Sequence, residues 1–307
     1  MPDLILHHYA NSPFSEKLRL VFGFKGLDWV SVSVPSIMPK PDVLALTGGY
    51  RRTPFLQIGA DVYCDTALAA RVIDRLHPAP PLFPADQPLA SLLAQWADST
   101  LFWTMIPYAM QPAGAMAILG NPPPEVLKAF AADRAPFTAG MKRQTPADAT
   151  VALASYLGRL EAQLGDERDF LFGAAPGIAD FSVAHSLWFV RKAGPFAAIL
   201  DRYPALARWL DRMLAFGHGR RTSLDSAAAI AVAAAADGHA AVLVEAGLGF
   251  AEGAEVTVSA TDYGSDPVAG VLVGLTADEV VLRRTDERAG VVHVHVPRIG
   301  FQIKEQR

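Results

Sequence analysis

Apolar and polar residues alternate through LILHHYA (residues 4–10) and again through WVSVSV (residues 29–34), a period of two that predicts two short strands. Between them, Leu18, Val21 and Phe22 recur at helical spacing. Pro13 stands in the first turn, where a missing N–H costs nothing, and Gly26 stands where a helix-ending glycine belongs. FLQIG and DVYC predict two strands turning at Gly59-Ala60, and DTALAARVIDRL predicts a helix with Asp65 as its N-cap. Strand, helix, strand, short helix, hairpin and helix together make a small α/β unit over residues 1–80, closed by the proline-rich stretch HPAPPLFP at residues 77–84.

Residues 86–222 read as all-helical. LASLLAQWADSTLFWTMIPYAM is a long apolar-periodic helix expected to bend or end near Pro107. PADATVALASYLGRLEAQLGD places Leu153, Leu157, Leu160 and Leu164 on one stripe, whereas residues 178–190 are apolar nearly all round and predict a buried helix. An alanine-rich stretch (residues 223–237) reads as a helix leading away from this bundle. Residues 238–307 then change character. EVTVSATD, VAGVLVGL, EVVLRR, GVVHVHVP and FQIK are five short alternating strands, read as a small antiparallel β-barrel or sandwich of unknown role.

A chain of 307 residues, 51% hydrophobic and 19% charged, has room for two or three domains with sizeable cores. A net charge of −4 gives no reason to expect nucleic acid. No apolar run reaches membrane-spanning length or resembles a signal peptide, so neither a membrane partner nor a leader is expected. The single cysteine, Cys64, excludes an internal disulfide, fits a reducing cytoplasm and reads as a buried strand residue. From Asp225 onward six Lys/Arg face twelve Asp/Glu, the wrong sign for an oligonucleotide-binding barrel, so the C-terminal segment reads as an interaction or dimer-supporting module.

Ser12-Pro13-Phe14, Thr53-Pro54-Phe55-Leu56 and Asp65-Thr66-Ala67-Leu68, followed by a helical region, resemble cytosolic glutathione transferases of the serine type over roughly the first 220 residues. The resemblance implies a thioredoxin-like N-terminal domain plus an all-α bundle. It also implies glutathione as co-substrate, a small hydrophobic electrophile as the second substrate, a role in detoxification and a homodimer. Ser12 stands before the first helix, where the family's catalytic hydroxyl donates a hydrogen bond to the glutathione sulfur; Ser15 and Tyr9 are alternatives. A free thiol has a pKa of about 8.5, and lowering it two units takes about 2.7 kcal/mol, within reach of one charge-assisted hydrogen bond plus a helix N-terminus. Serine, unlike cysteine, forms no mixed disulfide, which disfavours thiol–disulfide exchange. Taken alone, Ser12 also fits an ordinary helix cap.

By the same resemblance Thr53-Pro54 is the cis-proline turn that pairs with the cysteinyl backbone. Asp65-Thr66 holds the γ-glutamyl end, and Lys40 and Arg52 meet the glycyl carboxylate. Asp65 stands where the family more often has Glu or Gln, and Gly177 replaces the family's Ser or Thr at the start of GIADFSVAH, leaving Asp180 as the remaining half of the cap. Phe14, Trp103, Met105 and Tyr108 are the expected electrophile-site residues. His7 and His8 alternate on the first strand, so one faces the core. His293 and His295 share a face at i, i+2, but two ligands without a third read as a packed pair, and no metal is expected. Two alternatives to a conjugating enzyme share this pattern. One is a non-catalytic scaffold acting on a protein partner through the C-terminal module; the other is a glutathione-dependent isomerase.

Overall fold

A computed structural model describes residues 3–306. The strands β1 (Ile5–His8), β2 (Asp28–Ser33), β3 (Phe55–Ile58), β4 (Asp61–Cys64), β5 (Arg220–Leu224), β6 (Glu255–Ala260), β7 (Val268–Leu275), β8 (Glu279–Asp286), β9 (Gly290–Pro297) and β10 (Phe301–Glu305) form one sheet in the order β10-β6-β7-β8-β9-β4-β3-β1-β2-β5. Its middle is the thioredoxin-like unit: β1 runs parallel to β2 and antiparallel to β3, and β3 turns into β4. The helices α1 (Pro13–Phe24) and α3 (Thr66–Leu76) cover one face with the helical domain; α2 (Pro41–Thr47) and α11 (Ser226–Ala234) cover the other.

The period-two pattern decides which side chain enters which core. Leu4 and Leu6 pack into the cluster shared with the helical domain, and Ile5, between them, packs into the opposite one with Phe55, Val62 and Cys64. Because β1 is a central strand covered on both faces, both His7 and His8 are buried, not one. His7 stacks on Phe55 and bonds Gln57 at 2.7 Å, while His8 bonds Ser31 at 2.8 Å.

The C-terminal strands are antiparallel, as their alternation predicts, but they do not close on one another. β10-β6-β7-β8-β9 is open at β9, and β9 pairs in parallel with β4 through Asp61–Tyr63 against His293–His295. Joining an existing sheet satisfies the β9 edge as well as closure would. The Ala-rich helix α11 likewise does not lead away. Ala229, Ile230 and Ala233 are buried against the sheet face that also carries α2. Ahead of it, Arg220–Leu224 forms β5, an edge strand parallel to β2. RRTSL carries no apolar alternation and is largely exposed, so no pattern marks it as a strand. The loop that delivers it crosses α1 at Gly23, where a Cβ would stand 2.1 Å from the Gly217 carbonyl oxygen.

The helical domain contains α4 (Ala90–Trp96), α5 (Phe102–Ala109), α6 (Pro112–Leu119), α7 (Pro124–Phe137), α8 (Pro146–Gln163), α9 (Ile178–Arg191) and α10 (Pro204–Leu214). The irregularity in the long α4–α5 helix is a π-turn over Ala97–Leu101, and the helix continues through Pro107 to Ala109. The predicted stripe of α8 is the observed one, with Leu153, Leu157, Leu160 and Leu164 all buried. α9 is buried almost all round, and its start depends on Asp180. One carboxylate oxygen accepts from Gly177 N (2.9 Å), and the other accepts from Leu171 N (2.8 Å) and Trp209 Nε1 (2.9 Å). Beside it, Gln87 Oε1 lies 2.4 Å from where a Cβ at Gly177 would stand, so any larger residue there needs that side chain to move.

Three buried donors converging on one carboxylate give a sharp expectation. Asp180→Ala leaves all three without an acceptor and should cost about 3 kcal/mol or more in urea unfolding. Asp180→Asn keeps an oxygen for Leu171 and Trp209 and should cost clearly less. Equal losses would show that the hydrogen bonds are not what Asp180 contributes.

Candidate functional site

The β1–α1 turn, the Thr53-Pro54 turn and the start of α3 meet at one end of the sheet, and the helical domain and the C-terminal strands close over them. The resulting cavity has a volume of about 370 Å³. That lies within the usual range for small-molecule sites. Phe14, Phe83, Leu92, Ile178, Ile299 and Phe301 form its apolar walls, and Arg52, Thr53, Asp65 and Thr66 bring polar groups to it.

The start of α3 is the most specialised backbone in the site. Asp65 has φ 73° and ψ 138°, conformations that residues bearing a side chain rarely adopt and that cost about 1–3 kcal/mol. This backbone turns the chain out of β4 so that α3 begins at the cavity, with Asp65 accepting from Ala67 N at 2.9 Å. Burial pushes the Asp65 carboxyl up, against the pull of that N–H and of Arg52. The helix N-terminus beside it favours anions.

At the neighbouring turn the Thr53–Pro54 peptide is cis. Ser12 lies directly behind it. The Ser12 hydroxyl caps α1 by accepting from Ser15 N at 3.1 Å, and it donates to the Thr53 carbonyl at 3.4 Å. The Ser12 oxygen is thus the helix cap, and its proton is held only by a long hydrogen bond. Ser12 is buried and stands behind the cavity wall, which Phe14 and Thr53 form. Tyr9 lies on the Lys40 side, its ring 5.9 Å from the ammonium, and the buried Ser15 hydroxyl has no partner.

The far wall comes from the C-terminal strands. Arg52 is buried, ion-paired with Asp262, bonded to the Tyr263 carbonyl and stacked 3.8 Å over the Tyr263 ring. Burial draws the Arg52 guanidinium pKa down, but Tyr263, Tyr50, Asp262 and Asp65 outweigh it and raise it overall. Trp103 packs edge-on against the same Tyr263 at 4.9 Å. Lys40, by contrast, has no ion pair among the described residues. Its ammonium reaches only Thr53 Oγ1, at 3.4 Å, and burial together with Arg134 and Arg51 pushes its pKa down to about 8 against the opposing charge of Asp133.

Where α1 faces the π-turn, Lys17 Nζ meets Asp98 Oδ2 at 2.5 Å and His185 Nε2 meets Asp98 Oδ1 at 3.0 Å. Burial alone would raise the Asp98 carboxyl, but Lys17 and His185 hold it below the ordinary range. Burial also lowers His185, whose Nδ1 has no partner. Lys17 and Asp98 both reach the cavity. π-turns of this kind often mark functional sites.

Of the residues singled out in the sequence, the structure brings Phe14, Arg52, Thr53, Pro54, Asp65 and Thr66 to the cavity, with Ser12 and Lys40 one layer behind Thr53. Trp103, Met105 and Tyr108 do not line it. The π-turn resets the helical phase just before them, so Met105 is fully buried in the helical core, Tyr108 donates to the Phe196 carbonyl at 2.8 Å, and Trp103 supports Tyr263 from behind. Asp98 is the single charge in the otherwise apolar long-helix stretch, a signal legible in the sequence, whereas Lys17 stands between Glu16 and Arg19 and carries no such mark. Asp262, Tyr263 and Phe301 carry no such signal, because only the β4–β9 pairing brings their strands to the site.

A thioredoxin-like unit with an all-helical domain on one face, and a cavity where the two meet, defines the class of protein. Residues 6–81 match the glutathione S-transferase N-terminal domain, and residues 129–212 match the glutathione S-transferase C-terminal domain. A GST-like protein from Pseudomonas syringae is 44% identical over 100% of both chains, with a TM-score of 0.82, so the match takes in the C-terminal strands. The beta-etherase LigF from Sphingobium sp. strain SYK-6 (18% identity, 69% of this chain and 95% of that one, TM-score 0.51) shares the fold. So does rice GST1 in complex with glutathione (21%, 69% and 86%, TM-score 0.50). No curated protein matches the sequence. The chain belongs to the glutathione S-transferase family. No helix among the described residues is long and apolar enough to cross a membrane.

The buried lysine generates a pH-dependent expectation. Its ordinary pKa of 10.5 falls to about 8 in the fold, which corresponds to about 3 kcal/mol against the charged form. The unfolded chain therefore holds this proton over a range where the folded chain has lost it, and the penalty fades as pH rises from about 8 towards 10.5. Lys40→Met should be more stable than the parent at pH 7, by up to about 3 kcal/mol, with the gap narrowing by pH 10. A gap in urea melts that stays constant across that range would overturn the assignment.

Proposed function

We propose that this protein binds glutathione in the cavity between its first and helical domains and catalyses attack of the bound thiolate on a small hydrophobic electrophile. Bound glutathione would supply the sulfur nucleophile. The observation that carries the reading is the convergence of the strained Asp65 backbone, the α3 N-terminus and the Thr53-Pro54 turn on one cavity in a chain of this family.

The residues fit such a ligand. Thr66 and the first N–H groups of α3 suit the γ-glutamyl carboxylate, and Asp65 suits its ammonium. The Thr53 backbone is the partner for the cysteinyl unit. Lys40 lacks a carboxylate, and Arg52 retains a buried Nε without a partner, as expected of groups awaiting the glycyl end. Ser12 would donate its hydrogen bond to the thiolate sulfur in place of the long bond to the Thr53 carbonyl, keeping its own proton, while its oxygen continues to cap α1. The C-terminal strands make the electrophile wall with Ile299 and Phe301, in place of the long-helix residues that the sequence pointed to. Homodimer formation and a cytoplasmic setting belong to the same proposal, by analogy with the family.

Glutathione titration calorimetry, together with turnover of a generic aromatic halide, tests this. Ser12→Ala should retain glutathione binding and lose about 10–100-fold in turnover, the equivalent of one hydrogen bond to a charged sulfur. The pH-rate profile should shift upward as the bound thiol becomes harder to ionise. Ser12→Thr, which keeps the hydroxyl and the cap, should restore most of the rate. Full activity in Ser12→Ala would remove the assigned role; binding without turnover in the parent would leave the non-catalytic scaffold, and turnover only of a cis-double-bond substrate would leave the isomerase.

A further inference from the structure

The seam where β9 joins β4 holds three side chains that nothing in the glutathione site uses. Asp61 Oδ1 lies 3.6 Å from His239 Nδ1 and 3.8 Å from His293 Nδ1, and the three ligand atoms lie within 4.8 Å of one another. Neither distance is a hydrogen bond, and both imidazole nitrogens are buried with no partner. His293 is only 8% exposed. Two buried nitrogens without a partner beside one carboxylate oxygen are costly unless something fills the space between them.

We propose that Asp61, His239 and His293 form a binding site for one transition-metal ion of the zinc type. Zinc bonds of about 2.0–2.1 Å place tetrahedral ligand atoms about 3.4 Å apart, so the two Asp61–histidine distances need to close by only a few tenths of an ångström, and all three ligand atoms already lie within 4.8 Å of one another. Two imidazoles and a carboxylate suit zinc, whereas magnesium and calcium call for oxygen ligands. The carboxylate is already oriented: Ala240 N donates to Asp61 Oδ2 at 2.8 Å, and His295 Nε2 meets Oδ1 at 3.0 Å while its Nδ1 meets Glu279 at 3.2 Å. Such a His–carboxylate relay behind a ligand is what metal centres use to fix ligand geometry. Asp61 and His293 are held opposite one another by strand pairing. His239 lies in the irregular segment before β6, its ring stacked on His293 with centroids 3.7 Å apart, and metal binding would require it to turn out of that stack so that its lone pair faces the ion. Three ligands leave a fourth position for water.

The ion would fasten three parts of the chain together: the first domain through Asp61, the connecting segment through His239, and the C-terminal strands through His293. The β4–β9 pairing spans only three residue pairs, so a cross-link there reinforces the contact that sets the Tyr263 and Phe301 wall of the cavity. The sequence pair His293 and His295 thus divides its labour, one as ligand and the other as the support behind Asp61.

The test uses the full chain stripped with a chelator and titrated with Co²⁺ as the spectroscopic probe. One Co²⁺ per chain should bind with the intense visible bands of a tetrahedral site, bleached by added Zn²⁺, and Zn²⁺ should raise the thermal midpoint. His239→Gln, which changes a half-buried residue on an irregular segment, should weaken Co²⁺ binding by at least about tenfold and remove the thermal shift. Asp61→Asn should do the same, and His77→Gln should do neither. Circular dichroism of the metal-free variants separates loss of the site from loss of the fold. Absence of the Co²⁺ spectrum in the parent, or unchanged affinity in folded His239→Gln, overturns the proposal.

Discussion

Three residue pairs between β4 and β9 carry the C-terminal third of the chain onto the first domain, and the form of the cavity depends on them. Without that parallel pairing, β6–β10 would be an open sheet with two free edges. With it, the loops around Tyr263 and Phe301 stand opposite the start of α3. Arg52 then becomes the latch between the halves, its charge facing Asp262 and its plane lying against Tyr263. A guanidinium suits this position because it can pair and stack at once.

The electrostatics around the cavity divide accordingly. Arg52 is ion-paired with Asp262, Lys17 with Asp98, and Lys40 with no carboxylate among the described residues. A buried ammonium with its pKa lowered to about 8 is a local instability, as is the Asp65 backbone. Both sit beside the Thr53-Pro54 turn. Strain and unpaired charge tend to gather where a ligand completes the structure, and the rest of the fold is well enough packed to hold them there.

The helical domain contributes rigidity more than chemistry. α9 is buried on nearly every side and starts from the three hydrogen bonds that Asp180 accepts, so the surface on which α1 rests is fixed. α1 is accordingly buried along most of its length, with the ion pair of Glu16 and Arg19 enclosed in it.

Much of this was legible from local pattern. Alternation placed β1–β4 and β6–β10 and apolar spacing placed α1, α8 and α9, because each of those signals lies within a few consecutive residues; Ser12, Thr53-Pro54 and Asp65-Thr66 were joined into one expected site by the resemblance to glutathione transferases. What escaped was decided at long range. RRTSL becomes β5 only because β2 offers it an edge, and Tyr108 is turned away from the cavity by a π-turn with no signature of its own. The five C-terminal strands could have closed on themselves by every local rule, since alternation fixes which face of a strand is buried but not which neighbour it pairs with. Only the assembled sheet chose β4 as that neighbour, and so set Asp61 against His293 and Tyr263 against Arg52 across more than two hundred residues of chain.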